Sequence, residues 1–108
     1  MKSVSYAVLA FASALAIGGP AQAESAPGLL LAQQQNCMSC HSVNRQLMGP
    51  ALRDVATRYG SRAGAATYLA HKIIDGSTGV WGKVPMPANT QLTPDQAVTL
   101  AGWILTLK

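Results

Sequence analysis

Asn36-Cys37-Met38-Ser39-Cys40-His41 places two cysteines three positions apart, with a histidine directly after the second. Four chemistries compete for such a stretch: a small disulfide, half of a structural zinc site, a thioredoxin-like redox pair, and attachment of a c-type haem. A disulfide across so short a loop restrains little of the unfolded chain. Structural zinc wants four ligands, and no second pair of Cys or His exists elsewhere in the chain. A thioredoxin-like pair expects a βαβ context, and the sequence shows no strand pattern. In the haem reading each thiol adds to one vinyl group and the His41 imidazole is placed to bind iron. The C-x-x-C-H spacing lets both thioether bonds form on one side of the ring while the imidazole reaches its centre. The residues favour haem, with a redox disulfide as the alternative.

The start of the chain has the three-part layout of a secretory leader. Lys2 supplies a positive charge, Val4 to Ile17 is apolar without an ionised side chain, and Gly18-Gly19-Pro20 breaks the run before Ala21-Gln22-Ala23. The apolar run is too short for a spanning helix, which needs about 20 residues. Cleavage is expected before Glu24, removing residues 1–23 as a signal peptide and exporting residues 24–108 as one domain, with no membrane span left. No cysteine sits at the cleavage point, which argues against a lipid anchor.

A domain this short buries a modest core and needs a disulfide, metal or cofactor to stabilise it. The whole chain has eight Lys or Arg against four Asp or Glu, a net charge of +4. The basic residues are dispersed, without a run and with few aromatics between them, so a nucleic-acid surface is a poor fit. Mild positive charge bears on solubility and on steering toward acidic partners.

The apolar spacing predicts an all-α chain of short helices. Pro27 opens a first helix over 28–35, which delivers the chain to Cys37. A second covers 51–59 and ends at Gly60. A third covers 63–75, with Ala65, Leu69 and Ile73 recurring at spacing four and Gly76 as its C-cap. The last begins at Thr93 as N-cap, with Pro94 first in the helix and Gln96 completing a capping box. It runs to Leu107, with Val98, Ala101 and Leu105 on one face and Ala97, Leu100 and Ile104 beside them. Residues 76–91, with three Gly and two Pro, form a loop.

Iron bound by His41 still lacks a ligand on its other face. His71, mid-helix, reads as a solvated or packed side chain. Met38 lies inside the attachment loop and cannot reach the far side of its own haem, and Met48, just ahead of Gly49-Pro50, reads as apolar packing. Met86 differs. It sits in Val84-Pro85-Met86-Pro87, where flanking prolines exclude helix and hold a stiff extended loop. It is the candidate sixth ligand, against the alternative of a loop methionine covering the core.

Cys-Met-Ser-Cys-His at 37–41, Met-Gly-Pro at 48–50, Asp-Gly-Ser-Thr-Gly-Val-Trp-Gly at 75–82 and Val-Pro-Met-Pro-Ala-Asn at 84–89 together resemble the small bacterial class I cytochromes c of the c-551 kind. The resemblance covers essentially all of residues 24–108. It implies the cytochrome c fold, four or five short helices around one covalently attached haem, with His41 and Met86 as axial ligands. It also implies that the Pro50 carbonyl accepts the proton of the outer His41 nitrogen, that Asn89 donates to the Met86 sulfur, and that Trp81 donates to a haem propionate. Where relatives often carry an arginine for the propionates, this chain has Lys72, which either makes a looser contact there or is a free surface charge.

The implied function is that of a periplasmic electron carrier, a monomer without substrate chemistry of its own. It would shuttle single electrons between transient redox partners, for example toward a nitrite reductase or a terminal oxidase. The apolar rim expected around the haem edge is Met38, Leu47, Met48, Val84, Pro85 and Pro87, with Arg45 and Lys83 near it. The alternatives are a haem-binding subunit of a larger reductase and a sensor or peroxidase-like domain with a labile sixth ligand.

Overall fold

A computed structural model describes residues 2–5, 7, 10–14 and 27–108. The proposed cleavage site at Ala21-Gln22-Ala23, and Glu24 after it, lie outside the described residues. Among the described residues four helices make up the fold: α1 Pro27–Gln34, α2 Leu52–Tyr59, α3 Ala65–Asp75 and α4 Pro94–Leu105, with a 3-10 turn, Cys37–Ser39, between α1 and α2. Among the described residues there is no strand, only an isolated antiparallel bridge between Ser77 and Met86.

Each helix follows from an apolar stripe. In α2, Leu52, Val55, Ala56 and Tyr59 are buried at spacings of three and four, while Asp54, Thr57 and Arg58 face solvent. In α3 the buried set is Ala65, Leu69, Ala70 and Ile73. α4 starts as its sequence demands: the Thr93 hydroxyl accepts from the Gln96 N–H at 3.2 Å, and the Gln96 amide oxygen accepts from the Thr93 N–H at 2.9 Å.

Three local expectations need correction. α3 begins at Ala65 instead of Ala63, because Gly64 stands at φ 72° and cannot be helical. α4 ends at Leu105 rather than Leu107. Its inner face is Ala97, Leu100, Ala101 and Ile104 with Trp103, whereas Val98 is 53 % exposed.

α4 is the common wall, packing on α1, α2 and α3. Alanines allow these approaches: Ala32, Ala56, Ala97 and Ala101 are essentially fully buried, and Leu100 and Leu107 fill the space between them. Helix packing therefore leaves one side of α2 and α3 uncovered by any other helix. That side faces the loop carrying Met86.

Candidate haem site

The attachment motif is wound into one turn. Asn36, at φ 61°, swings the chain out of α1, a left-handed conformation that asparagine tolerates. The Cys37 carbonyl then accepts from the Cys40 N–H at 3.2 Å and the His41 N–H at 3.0 Å. Residues at i, i+3 and i+4 of a helical turn share a face, so both thiols and the imidazole project to one side. Both cysteines are free and half-buried. Burial pushes the Cys37 thiol up, against a partial lowering from its own backbone.

Cys40 and His41 open onto a cavity of about 180 Å³ whose mouth is open to solvent. Cys40, His41 and Met86 all line it, together with Leu52, Val55, Leu69, Lys72, Ile73 and Ile104 from the helices and Pro50 and Trp81 from the connecting segments. A smaller adjoining space is lined by Cys37, His41 and Met86 with Leu100 and Trp103. The residues present suit a flat apolar ring with carboxylate tails: two thiols, one imidazole and one thioether meet in a greasy slot with a cation at its rim.

The imidazole is oriented before any ligand arrives. His41 Nδ1 lies 2.8 Å from the Pro50 carbonyl oxygen. A carbonyl only accepts, so Nδ1 carries the proton and Nε2 keeps its lone pair. Gly49 fixes the ring from the side: a Cβ there would stand 2.5 Å from His41 Cε1 and 2.9 Å from Nδ1. Its N–H also donates to the Cys40 carbonyl at 2.8 Å, closing the loop back onto the motif.

Met86 is held by backbone on both sides. Ser77 and Met86 exchange two hydrogen bonds, 3.0 and 2.9 Å, and the Asn89 N–H donates to the Ile74 carbonyl at 3.0 Å. The Asn89 side-chain amide donates to the Ile73 carbonyl at 2.9 Å and weakly to that of Pro87 at 3.4 Å. This departs from the expected donation to the Met86 sulfur: the amide instead satisfies a carbonyl at the end of α3, where a helix leaves its last acceptors open. Gly76 makes the close approach possible. Its φ is 74°, and a Cβ would overlap the Met86 carbonyl and come within 2.9 Å of Pro87. Gly76→Ala should therefore cost about 1–3 kcal/mol in thermal unfolding of the holoprotein and weaken the iron–sulfur absorption band.

The remaining candidates divide. Met48 lines the mouth and is 63 % exposed, and Leu47 and Val84 are exposed beside it. Met38 does not belong to that rim; it is half-buried against the core. His71 points outward, its side chain 73 % exposed and 4.0 Å from Asp75, on the far side of α3 from the cavity residues Leu69 and Ile73.

A cluster around Trp81 was not legible in the sequence. The Arg58 guanidinium lies 4.5 Å over the Trp81 ring and 5.3 Å over Tyr59, and donates to the Val80 carbonyl at 3.1 Å. Tyr59 meets Trp81 edge-on at 6.3 Å and Tyr68 at 5.1 Å. Arg62 lies 4.2 Å over Tyr68, and the Lys72 ammonium is 5.5 Å from the same ring. The hydrogen bond from Tyr59 pulls the Tyr68 hydroxyl down, helped by the positive charges of Lys72 and Arg62; burial, then the same bond, pushes Tyr59 up. Helix periodicity placed Tyr59 in α2, but nothing local joins it to residue 81.

Residues 25–108 match the family model for cytochrome c. The chain is 50 % identical over 97 residues, 90 % of each protein, to cytochrome c-552 of Nitrosomonas europaea. To cytochrome c-551 of Stutzerimonas stutzeri it is 44 % identical over the full length of both. The crystal structure of wild-type Nitrosomonas europaea cytochrome c552 superposes with a TM-score of 0.73 at 51 % identity, covering 74 % of this chain and 99 % of that one. With its all-α fold and single slot for a covalently attached haem c and its iron, the chain belongs to the cytochrome c family, among the small class I members.

Proposed function

We propose that this protein is an exported, monomeric electron carrier of the periplasm: residues 1–23 leave as a signal peptide, and residues 24–108 pass single electrons between transient redox partners. The observation that carries the reading is that His41 and Met86 line the same cavity as Cys40. Among the described residues no helix is long and apolar enough to cross a membrane.

Bound haem supplies the one-electron exchange between ferrous and ferric iron. Cys37 and Cys40 would hold it covalently, and His41 Nε2 and the Met86 thioether would be its iron ligands. The Pro50 carbonyl keeps the proton on Nδ1, which makes the imidazole a better donor. A thioether favours the ferrous state relative to a second imidazole, and the apolar walls disfavour the extra charge of the ferric state, so both raise the potential. Lys72 and Trp81 stand at the edge suited to the propionates, and Asn89 holds the Met86 loop. With both axial positions filled by side chains, no position is left for peroxide or oxygen, which supports a carrier over an enzyme.

Cyanide binding tests this reading. The ferric holoprotein should bind cyanide slowly, since the thioether must leave first, and should show a reversible one-electron wave at an electrode. Fast cyanide or carbon monoxide binding would support a sensor or peroxidase-like domain and overturn the carrier.

A further inference from the structure

Arg58 and Arg62 are both exposed, and neither lines the cavity; they lie on the outer faces of rings that do. Their ordinary counter-charges are missing. Asp54 stands one turn before Arg58 on α2, the usual spacing for a helical ion pair, yet the guanidinium is turned over Trp81 instead. Asp75, three residues after Lys72, has its carboxylate 4.0 Å from the His71 ring nitrogen instead. The fold thus gathers three cations around Tyr59, Tyr68 and Trp81, and among the described residues none of them is paired with a carboxylate within 4.0 Å. Lys72 lines the cavity, where it would meet the cofactor's own acids. Arg58 and Arg62 do not.

We propose that Arg58 and Arg62, laid over Trp81, Tyr59 and Tyr68, form the docking edge for an acidic redox protein whose carboxylates seat on the two guanidinium groups. This rests on the electron-carrier reading and names the chemistry of its partner. It moves the charged part of the docking surface from Arg45 and Lys83, where sequence alone would put it, to the outer side of Trp81. Guanidinium groups stacked on rings are fixed in orientation, and beyond the one N–H that Arg58 gives to the Val80 carbonyl they retain in-plane donors for pairing with carboxylates. A lipid surface asks for something else, namely flexible cations flanking apolar side chains that insert. Here the exposed apolar residues of the cavity wall, Met48 and Val84, are not accompanied by Arg58 or Arg62, which lie outside it. A partner seated on Arg58 has one indole between itself and the cavity, and small, transient contacts of this kind suit fast exchange.

The test uses the mature holoprotein and a short polyglutamate peptide as the acidic probe. The peptide is titrated by NMR at low ionic strength against wild type, Arg58→Gln/Arg62→Gln and Arg45→Gln/Lys83→Gln, the two double variants losing equal charge. The Arg58/Arg62 variant should lose roughly tenfold in peptide affinity, and the Trp81 indole N–H should shift on titration of wild type. Arg62→Gln alone, which leaves the Arg58–Val80 bond intact, should give part of the loss. The peptide should also slow oxidation of reduced wild type by an acidic protein oxidant, but not that of the Arg58/Arg62 variant.

Equal losses in the two double variants would show undirected charge attraction and overturn the proposal, as would a larger loss in Arg45→Gln/Lys83→Gln. Tighter binding to phosphatidylglycerol vesicles than to the peptide, abolished in the Arg58/Arg62 variant, would overturn it in favour of a membrane surface. Failure of wild type to exchange electrons even with ferricyanide would sink the carrier reading, while the peptide titration would still decide the docking edge.

Discussion

Met86→Ala is expected to abolish the weak far-red absorption band of the ferric protein and to lower the reduction potential by an amount on the order of 0.2 V. The band reports iron–thioether bonding, so it cannot survive loss of the sulfur. The potential falls because whatever replaces the thioether, water or a harder side chain, stabilises ferric iron more. The same variant should bind cyanide quickly and gain peroxidase activity, since the position that Met86 is proposed to fill is then open. His71→Gln is the control: its imidazole is exposed beside Asp75 on the outer face of α3, so band and potential should hardly move. An unchanged spectrum in Met86→Ala would remove this residue from the iron and force a new choice of sixth ligand.

The double variant Cys37→Ala/Cys40→Ala should be largely unfolded. Native domains hold roughly 0.05–0.15 kcal/mol per residue, which for residues 24–108 is only about 4–13 kcal/mol. A single core truncation to alanine can cost about 2–5 kcal/mol. Without the tethered ring, Leu52, Val55, Leu69, Ile73 and Ile104 all lose their packing partner along the cavity at once. Far-UV circular dichroism should show little helix at 25 °C, and acid–acetone treatment should strip any haem that remains, whereas the wild type keeps its colour. A cooperatively melting, helical apoprotein would show that the helices alone supply the stability.

Much of this was written locally in the chain. The α4 N-terminus was legible to the residue, because the Thr93–Gln96 box needs only partners three positions apart. The attachment turn was legible for the same reason, its chemistry lying within five residues. The inner face of α4 was misjudged at Val98 because two apolar stripes overlap on that helix. The facing elements decide between them: Trp103 and Leu100 turn toward α1 and the cavity, and Val98 is left outside. The destination of the Asn89 amide depended on where α3 ends in space, sixteen residues back in sequence. The Arg58–Trp81 stack joins two segments 22 or more positions apart, and no periodicity links them.

The paired backbone bonds between Ser77 and Met86, with Asn89 anchored on Ile73 and Ile74, make detachment of the sulfur a cooperative event. Rotation about the side-chain bonds can move the sulfur only within reach of a backbone stitched to the end of a helix. Under the proposed ligation, lasting departure of the sulfur is expected to go with a brief local unfolding of the segment. The amide protons of Ser77, Met86 and Asn89 should then exchange with solvent deuterium at one common rate, distinct from that of the α4 amides. That shared rate would serve as a clock for ligand loss, readable in the resting protein without any competing ligand.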